Sequence, residues 1–239
     1  MLESLLVEEN YLRQFIEKAI PELKNDEVLI ILLAARKKYF SKLTRSQEVV
    51  ARSILRRNDA QYIIGKIKRL AVSGCFFDQD KPIPPKALVA YIDLNPKSTI
   101  KAFNHFAREV LSQLYIATTG NINYNYFKKL DVKLFSAIHK SNTSDHPYWC
   151  IDIDQKNLAV LQGIITFINP ENVVWVSETR NGYHVIVRRN AETGEKLFRY
   201  GLPSKLKENV ELKKEALTPI PGTLQGGFLV KPVNWRELK

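Results

Sequence analysis

Tyr148-Trp149-Cys150-Ile151-Asp152-Ile153-Asp154, with Ser177-Glu178-Thr179-Arg180-Asn181-Gly182-Tyr183-His184 behind it, is the stretch from which the fold is read. The first segment reads as a strand. Leu158, Leu161, Ile165 and Ile168 then share one helix face, which Pro170 ends. Val173–Ser177 and Tyr183–Val187 are β-branched and aromatic runs joined around Asn181-Gly182, a strong hairpin signal. A helix is expected around Glu192–Tyr200 and a closing strand at Phe228–Val230. Strand, helix, hairpin, helix, strand is the ferredoxin-like βαββαβ order.

Toward the N-terminus the pattern predicts helices. Val7, Tyr11, Phe15 and Ala19 fall four apart, and Pro21 ends that stripe. Asn25 and Asp26 can cap a helix through the apolar run Val28–Ala35, and Thr44 with Gln47 has capping-box spacing. Asn58 or Asp59 can start a further helix through Ile63, Ile64 and Ile67. The expectation is a helical bundle over residues 1–72 and a second domain over residues 73–239. Within the latter, a turn-rich stretch leads to a strand at Leu88–Leu94. Pro96-Lys97-Ser98 then opens a helix with Ile100, Phe103, Ala107, Val110 and Leu114 on one face. Residues 118–145 carry no decisive pattern.

Composition places the chain among globular proteins, at 45% hydrophobic and 26% charged. Two cysteines, Cys75 and Cys150, exclude a disulfide framework and a four-cysteine zinc site. The longest apolar run is far too short to span a membrane, and Glu3, Glu8 and Glu9 stand where a secretory signal would be basic. A reduced, cytoplasmic protein is the expectation.

The net charge is +11, and it is concentrated. Residues 36–70 hold eleven basic side chains, among them Arg36, Lys37, Lys38, Arg52, Arg56 and Arg57, against Glu48 and Asp59. Such a face suits a polyanion, because phosphate contacts release counterions. These six residues are the candidate nucleic-acid contacts, with Tyr39 and Phe40 available either for base stacking or for core packing.

The sharpest chemistry is Asp152-Ile153-Asp154. On a strand both carboxylates project from one face while Ile151 and Ile153 enter the core. Two adjacent carboxylates repel unless a cation lies between them, which makes an Mg²⁺ or Mn²⁺ site the natural hypothesis. An EF-hand is excluded by Lys156 and Gly163, which stand at ligand positions. Asp78 and Asp80 form a second such pair inside a Pro-rich turn, where turn chemistry explains them. His184 follows the hairpin turn on the strand expected beside Asp152. With Arg180, Arg188 and Arg189 nearby it suits a set gripping a triphosphate.

The Asp-x-Asp strand, the Gly-turn-His hairpin and the late segment Leu217-Thr218-Pro219-Ile220-Pro221-Gly222-Thr223-Leu224-Gln225-Gly226-Gly227 resemble the three motifs of the archaeo-eukaryotic primase superfamily, the primase–polymerases. The resemblance covers roughly residues 75–232. It implies an RRM-like βαββαβ catalytic sheet preceded by an α/β unit, so that the fold class is α+β. It also implies two-metal nucleotidyl transfer that makes or extends primers on a single-stranded DNA template from NTPs or dNTPs. Asp152 and Asp154 would be metal ligands, and His184, Arg180, Arg188 and Gln225 would bind the nucleotide. The family's spacing for a third acid reaches Glu208, whereas its hydrophobic-acid pattern is best met by Val210-Glu211, and Glu215 is close; Glu211 is favoured. The cysteines cannot build the zinc module many primases carry. No Walker A motif supplies an attached helicase, so a helicase or other replication protein would be a separate partner, as in a mobile element or replication module. Two other readings remain: a non-catalytic nucleic-acid-binding replication-initiation module, and a metal-dependent glycosyltransferase using Asp-x-Asp.

Overall fold

The structure is a computed structural model that describes residues 4–72, 76–78, 81–143 and 146–237. The chain runs α1 (Glu9–Ala19), β1 (Glu27–Arg36), β2 (Gln47–Leu55), α2 (Ala60–Val72), β3 (Phe76–Asp78), β4 (Lys81–Ile83), β5 (Leu88–Ser98), α3 (Thr99–Thr118), α4 (Tyr124–Phe127) and α5 (Leu130–Lys140). It continues with β6 (Tyr148–Ile153), α6 (Leu158–Ile168), β7 (Val173–Glu178), β8 (Tyr183–Arg188), α7 (Ala191–Gly194), a π-helical turn over Glu195–Tyr200, and α8 (Ser204–Lys207). Short strands finish it: β9 (Val210–Lys213), β10 (Leu217–Pro219), β11 (Leu224–Gln225), β12 (Phe228–Leu229) and β13 (Lys231–Pro232). The class is α+β with antiparallel sheets.

Two larger sheets organise the molecule. One is four-stranded in the order β10-β5-β1-β2, and the other five-stranded in the order β13-β7-β8-β6-β9. Every neighbouring pair in them is antiparallel.

The expected N-terminal helical bundle is corrected here. Val28–Ala35, read as a helix, is the body of β1, a strand inside the first sheet, and Thr44-Gln47 leads into the edge strand β2. The reason is burial on both sides. Leu29, Ile31 and Leu33 enter the core that holds α1 and α2, while Ile30, Leu32 and Ala34 enter the one under α3 and α5. A strand covered on both faces loses its period-two signature and reads as a bare apolar run. The stripe ending before Pro21 and the helix begun near Asp59 are indeed helical, as α1 and α2. β1 pairs with β5, so residues before and after position 72 share one sheet. Thr44 does not cap a helix; its amide and hydroxyl donate to Asp78, at 2.8 and 3.2 Å. That carboxylate is thus structural, while Asp80 and Cys75 lie outside the described residues.

In the second sheet Ile151, Ile153, Val185 and Val187 pack under α6 with Leu161, Ile164 and Ile168. The opposite face is divided. Cys150, Trp175 and Ile186 join the first sheet's core, where Phe15 of α1 meets Trp175 edge-on at 5.3 Å. The rest of that face carries polar side chains. Asn95, fully buried, ties the sheets together: it donates to Tyr148 O at 3.1 Å and accepts from Tyr148 N at 3.2 Å. Asp93 beside it is paired with the buried Lys97 at 2.8 Å. The strand expected at Phe228–Val230 forms only as β12, paired to β11, while β13 closes the sheet edge against β7. Among the described residues no helix is long and apolar enough to cross a membrane.

Candidate active site

The polar half of that face holds one row of side chains across three strands. In register, His184 of β8 lies opposite Asp152 of β6, and Asp152 lies opposite Glu211 of β9. Directly opposed residues on an antiparallel pair have Cβ atoms roughly 4.5–5.5 Å apart and point to the same face. The row follows from the hairpin and from the return of the chain after α8. Gly182 is required in that hairpin, since a Cβ there would lie 1.8 Å from the Ile153 carbonyl oxygen. The turn closes with Thr179 N donating to Gly182 O at 2.8 Å, so Arg180 and Asn181 form its tip.

Asp152 is buried and doubly held. His184 Nε2 donates to its Oδ1 at 3.0 Å, and Lys213 Nζ donates to its Oδ2. Lys213 also lies 3.4 Å from Glu211, two residues earlier on the same face of β9. Burial alone would raise the Asp152 pKa, but these two cations hold it well below the ordinary carboxylate range. Burial likewise opposes charge on His184; the Cys150 sulfur and the Asp152 carboxylate outweigh it and lift its pKa to about 9. Lys213 is held above the usual lysine value in the same way, Asp152 outweighing its burial.

Cys150 Sγ sits 3.6 Å from His184 Nδ1, giving a cysteine–histidine–aspartate chain. Cys150 is fully buried, so its thiol has no access to a substrate. Here the sulfur orients the imidazole.

Asp154 lies just past the strand, exposed, with its amide donated to Asn209 O at 2.8 Å. With Asp152, His184 and Glu211 it lines a cleft of about 490 Å³, a size typical of ligand sites. The opposite wall comes from the first sheet: Arg36, Lys38, Gln47 and Tyr91. Arg36 donates to Gln47 at 2.9 Å and to the Tyr91 hydroxyl at 3.1 Å, while its buried Nε has no hydrogen-bond partner. Burial, then the like charge of Arg36, holds the Lys38 pKa below its ordinary value. Arg36 and the exposed Lys38 thus face the carboxylates across the cleft.

Gln225 also lines the cleft and accepts from Arg180 N at 2.9 Å. Arg180 itself is engaged, donating to Gly226 O and covering the Tyr39 ring at 4.9 Å. Tyr39 is therefore a packing residue, its hydroxyl pushed up to about 12 by burial, and Phe40 packs against the core of the first sheet. Gly222 serves the fold: its carbonyl accepts from Val7 N at 2.9 Å and Glu8 N at 3.0 Å, at φ 83°.

Several expected residues are not brought together. Arg188 lies at the far end of β8, lining a separate cavity with Gln14 and Lys18. Arg52 covers the Phe135 ring at 5.4 Å, and Lys37 is exposed in the β1–β2 connection. Arg56 and Arg57 follow β2, roughly 30 Å along the strand from its Gln47 end at about 3.3 Å per residue. Glu208 precedes β9 outside the cleft lining, whereas Glu215 does line the cleft, 3.6 Å from Lys97 and off the Asp152 register. Lys213 was missed from the sequence. Alternation from Glu211 would have found it once a strand was placed at Val210–Lys213.

Among the described residues no group of three His, Cys, Asp or Glu side chains is gathered closely enough to hold a metal unaided. Asp152 and Glu211 nevertheless fit half of such a site, because an ammonium already bridges them. Mg²⁺ is ordinarily held by one or two carboxylates together with substrate phosphates, so no complete protein cage is required. Comparison with protein-family models, with curated proteins and with solved structures finds no match for this chain.

Proposed function

We propose that this chain is a primase–polymerase of the archaeo-eukaryotic primase type, joining nucleotides on a single-stranded DNA template. The observation that carries the reading is the His184–Asp152–Glu211 row facing Arg36 and Lys38 across one cleft. The order β9-β6-β8-β7, with all neighbours antiparallel and helices between, supports an RRM-like sheet for the site.

Asp152 and Glu211, with Asp154 at the strand end, are the residues that would hold Mg²⁺ or Mn²⁺. Such an ion, when bound, polarises phosphoryl oxygens and favours ionisation of the attacking hydroxyl. Arg36 and Lys38 draw the triphosphate in, since its charge relieves their mutual repulsion. His184 keeps Asp152 ionised and aimed at the cleft through its Nε2 proton.

The protein incubated with single-stranded DNA, labelled NTPs or dNTPs and Mg²⁺ or Mn²⁺ is expected to make product that EDTA abolishes. A second reading draws on the pairing of Asp152 with His184 and Lys213: a non-catalytic module that binds nucleic acid. Salt-sensitive DNA binding without any product under these conditions would select it.

Lys38→Ala is expected to raise the nucleotide KM about tenfold with kcat nearly unchanged, because a charge-assisted contact to phosphate is made alike in ground and transition states. Steady-state kinetics at varied nucleotide checks this. An unchanged KM would remove Lys38 from the binding wall.

A further inference from the structure

Both oxygens of Asp152 already accept from a cation, Oδ1 from His184 and Oδ2 from Lys213. A divalent ion held by Asp152 and Glu211 would compete with these donors, most directly with the ammonium that lies between the two carboxylates. His184 has nowhere to go. It is 7% exposed, with Cys150 against its other ring nitrogen and Ser177 paired across from it on β7. Lys213 is different. Its side chain is 32% exposed, it lines the cleft, and its ammonium ends a flexible four-carbon stem. That ammonium also sits where a cation shared by the two carboxylates belongs.

We infer that Lys213 is a resident counter-cation that fills the carboxylate pair in the free protein and yields it to a divalent ion when a nucleoside triphosphate arrives. The inference rests on the metal-binding reading above and adds to it a positioning residue that couples metal entry to nucleotide. The exchange needs no bond made or broken. The ammonium leaves Asp152 and Glu211, whose charge the metal then neutralises, and takes the triphosphate as its new partner. Because coupling is reciprocal, nucleotide should tighten metal binding by the factor by which metal tightens nucleotide binding.

The test is Mn²⁺ binding to the full chain, followed by electron paramagnetic resonance, with and without a non-hydrolysable nucleoside triphosphate. Without nucleotide, Lys213→Met is expected to bind Mn²⁺ on the order of tenfold tighter than wild type, since a charge removed from within about 4–6 Å shifts a carboxylate site by at least that factor. Nucleotide should tighten wild type strongly and Lys213→Met little. Asp152→Asn should lose Mn²⁺ in both conditions. Circular dichroism and thermal melting check each variant, and Lys213→Gln replaces Lys213→Met if the latter fails to fold. Equal Mn²⁺ affinity of wild type and the Lys213 variants, with Asp152→Asn still losing it, would overturn the exchange and leave the metal site standing. No Mn²⁺ binding by any of them, with or without nucleotide, would overturn the metal reading itself and the exchange with it.

Discussion

Asp152→Asn is expected to lower nucleotide incorporation by about a thousandfold or more while the protein stays folded. The estimate takes the loss of one preorganised electrostatic group, about 100- to 1,000-fold, as its lower bound, because here the group would also be a metal ligand. An amide keeps the size of the carboxylate but not its charge, and it offers one acceptor where Asp152 offers two. His184 and Lys213 both donate to Asp152, so one of them would face the amide's own N–H. The folding cost should be about 1–3 kcal/mol, the usual penalty for a disrupted charged hydrogen bond that is largely buried. Primer extension and thermal melting measure the two effects separately. Asp78→Ala is the control. It removes the bonds from Thr44 and should cost stability with activity retained, since Asp78 lies outside the cleft. Turnover unchanged in Asp152→Asn would move the chemistry off β6.

Gly182→Ala is expected to be the most destabilising small substitution in the second sheet, by more than about 3 kcal/mol, placing it in the rare tail of single mutations. The added Cβ would meet the Ile153 carbonyl oxygen at 1.8 Å and Gln155 N at 2.7 Å. These are backbone atoms at the end of β6, and neither can rotate away. Relief requires β8 to part from β6, which separates His184 from Asp152 and carries Asp154 with the strand end. Activity should therefore fall together with stability. Gly65→Ala provides the opposite sign: it lies in α2 with nothing within 4 Å of the new Cβ, and should stabilise by about 0.5–1 kcal/mol. Chemical denaturation of the three proteins settles both expectations. A Gly182→Ala midpoint equal to wild type would show that the hairpin can open without cost.

The residues legible in the sequence are those whose signal is local. Ile151 and Ile153 alternate with Asp152 and reach the core as alternation predicts, both fully buried. The helix after Asn157 and the hairpin before His184 were readable from side-chain period and turn chemistry, and the facing of Asp152 and His184 followed from their order along the chain. Glu211 has no such local signal. Its claim over Glu208 and Glu215 depends on register, and register is a long-range property: Glu211 is the acid that falls opposite Asp152.

Elsewhere a local reading had no access to the deciding interaction. Val28–Ala35 carries no alternation because both faces of β1 are covered, one by α1 and α2, the other by α3 and α5. Those covering helices lie before and far beyond it in the chain. Basic residues between Arg36 and Arg57 formed a single cluster in sequence, yet an antiparallel hairpin sends Arg36 and Lys38 to the cleft and Arg56 and Arg57 to the far end of β2. Lys213 is one lysine among many in the sequence, and only β9 sets it two residues from Glu211 and against Asp152. The identity of β6 and β8, the turn before β8 and the facing of Asp152 and His184 were thus written in neighbouring residues, where backbone geometry acts over a few positions. The opposing cationic wall and the ammonium between the carboxylates arise only when distant strands pair, because charge is placed by the sheet and not by spacing along the chain.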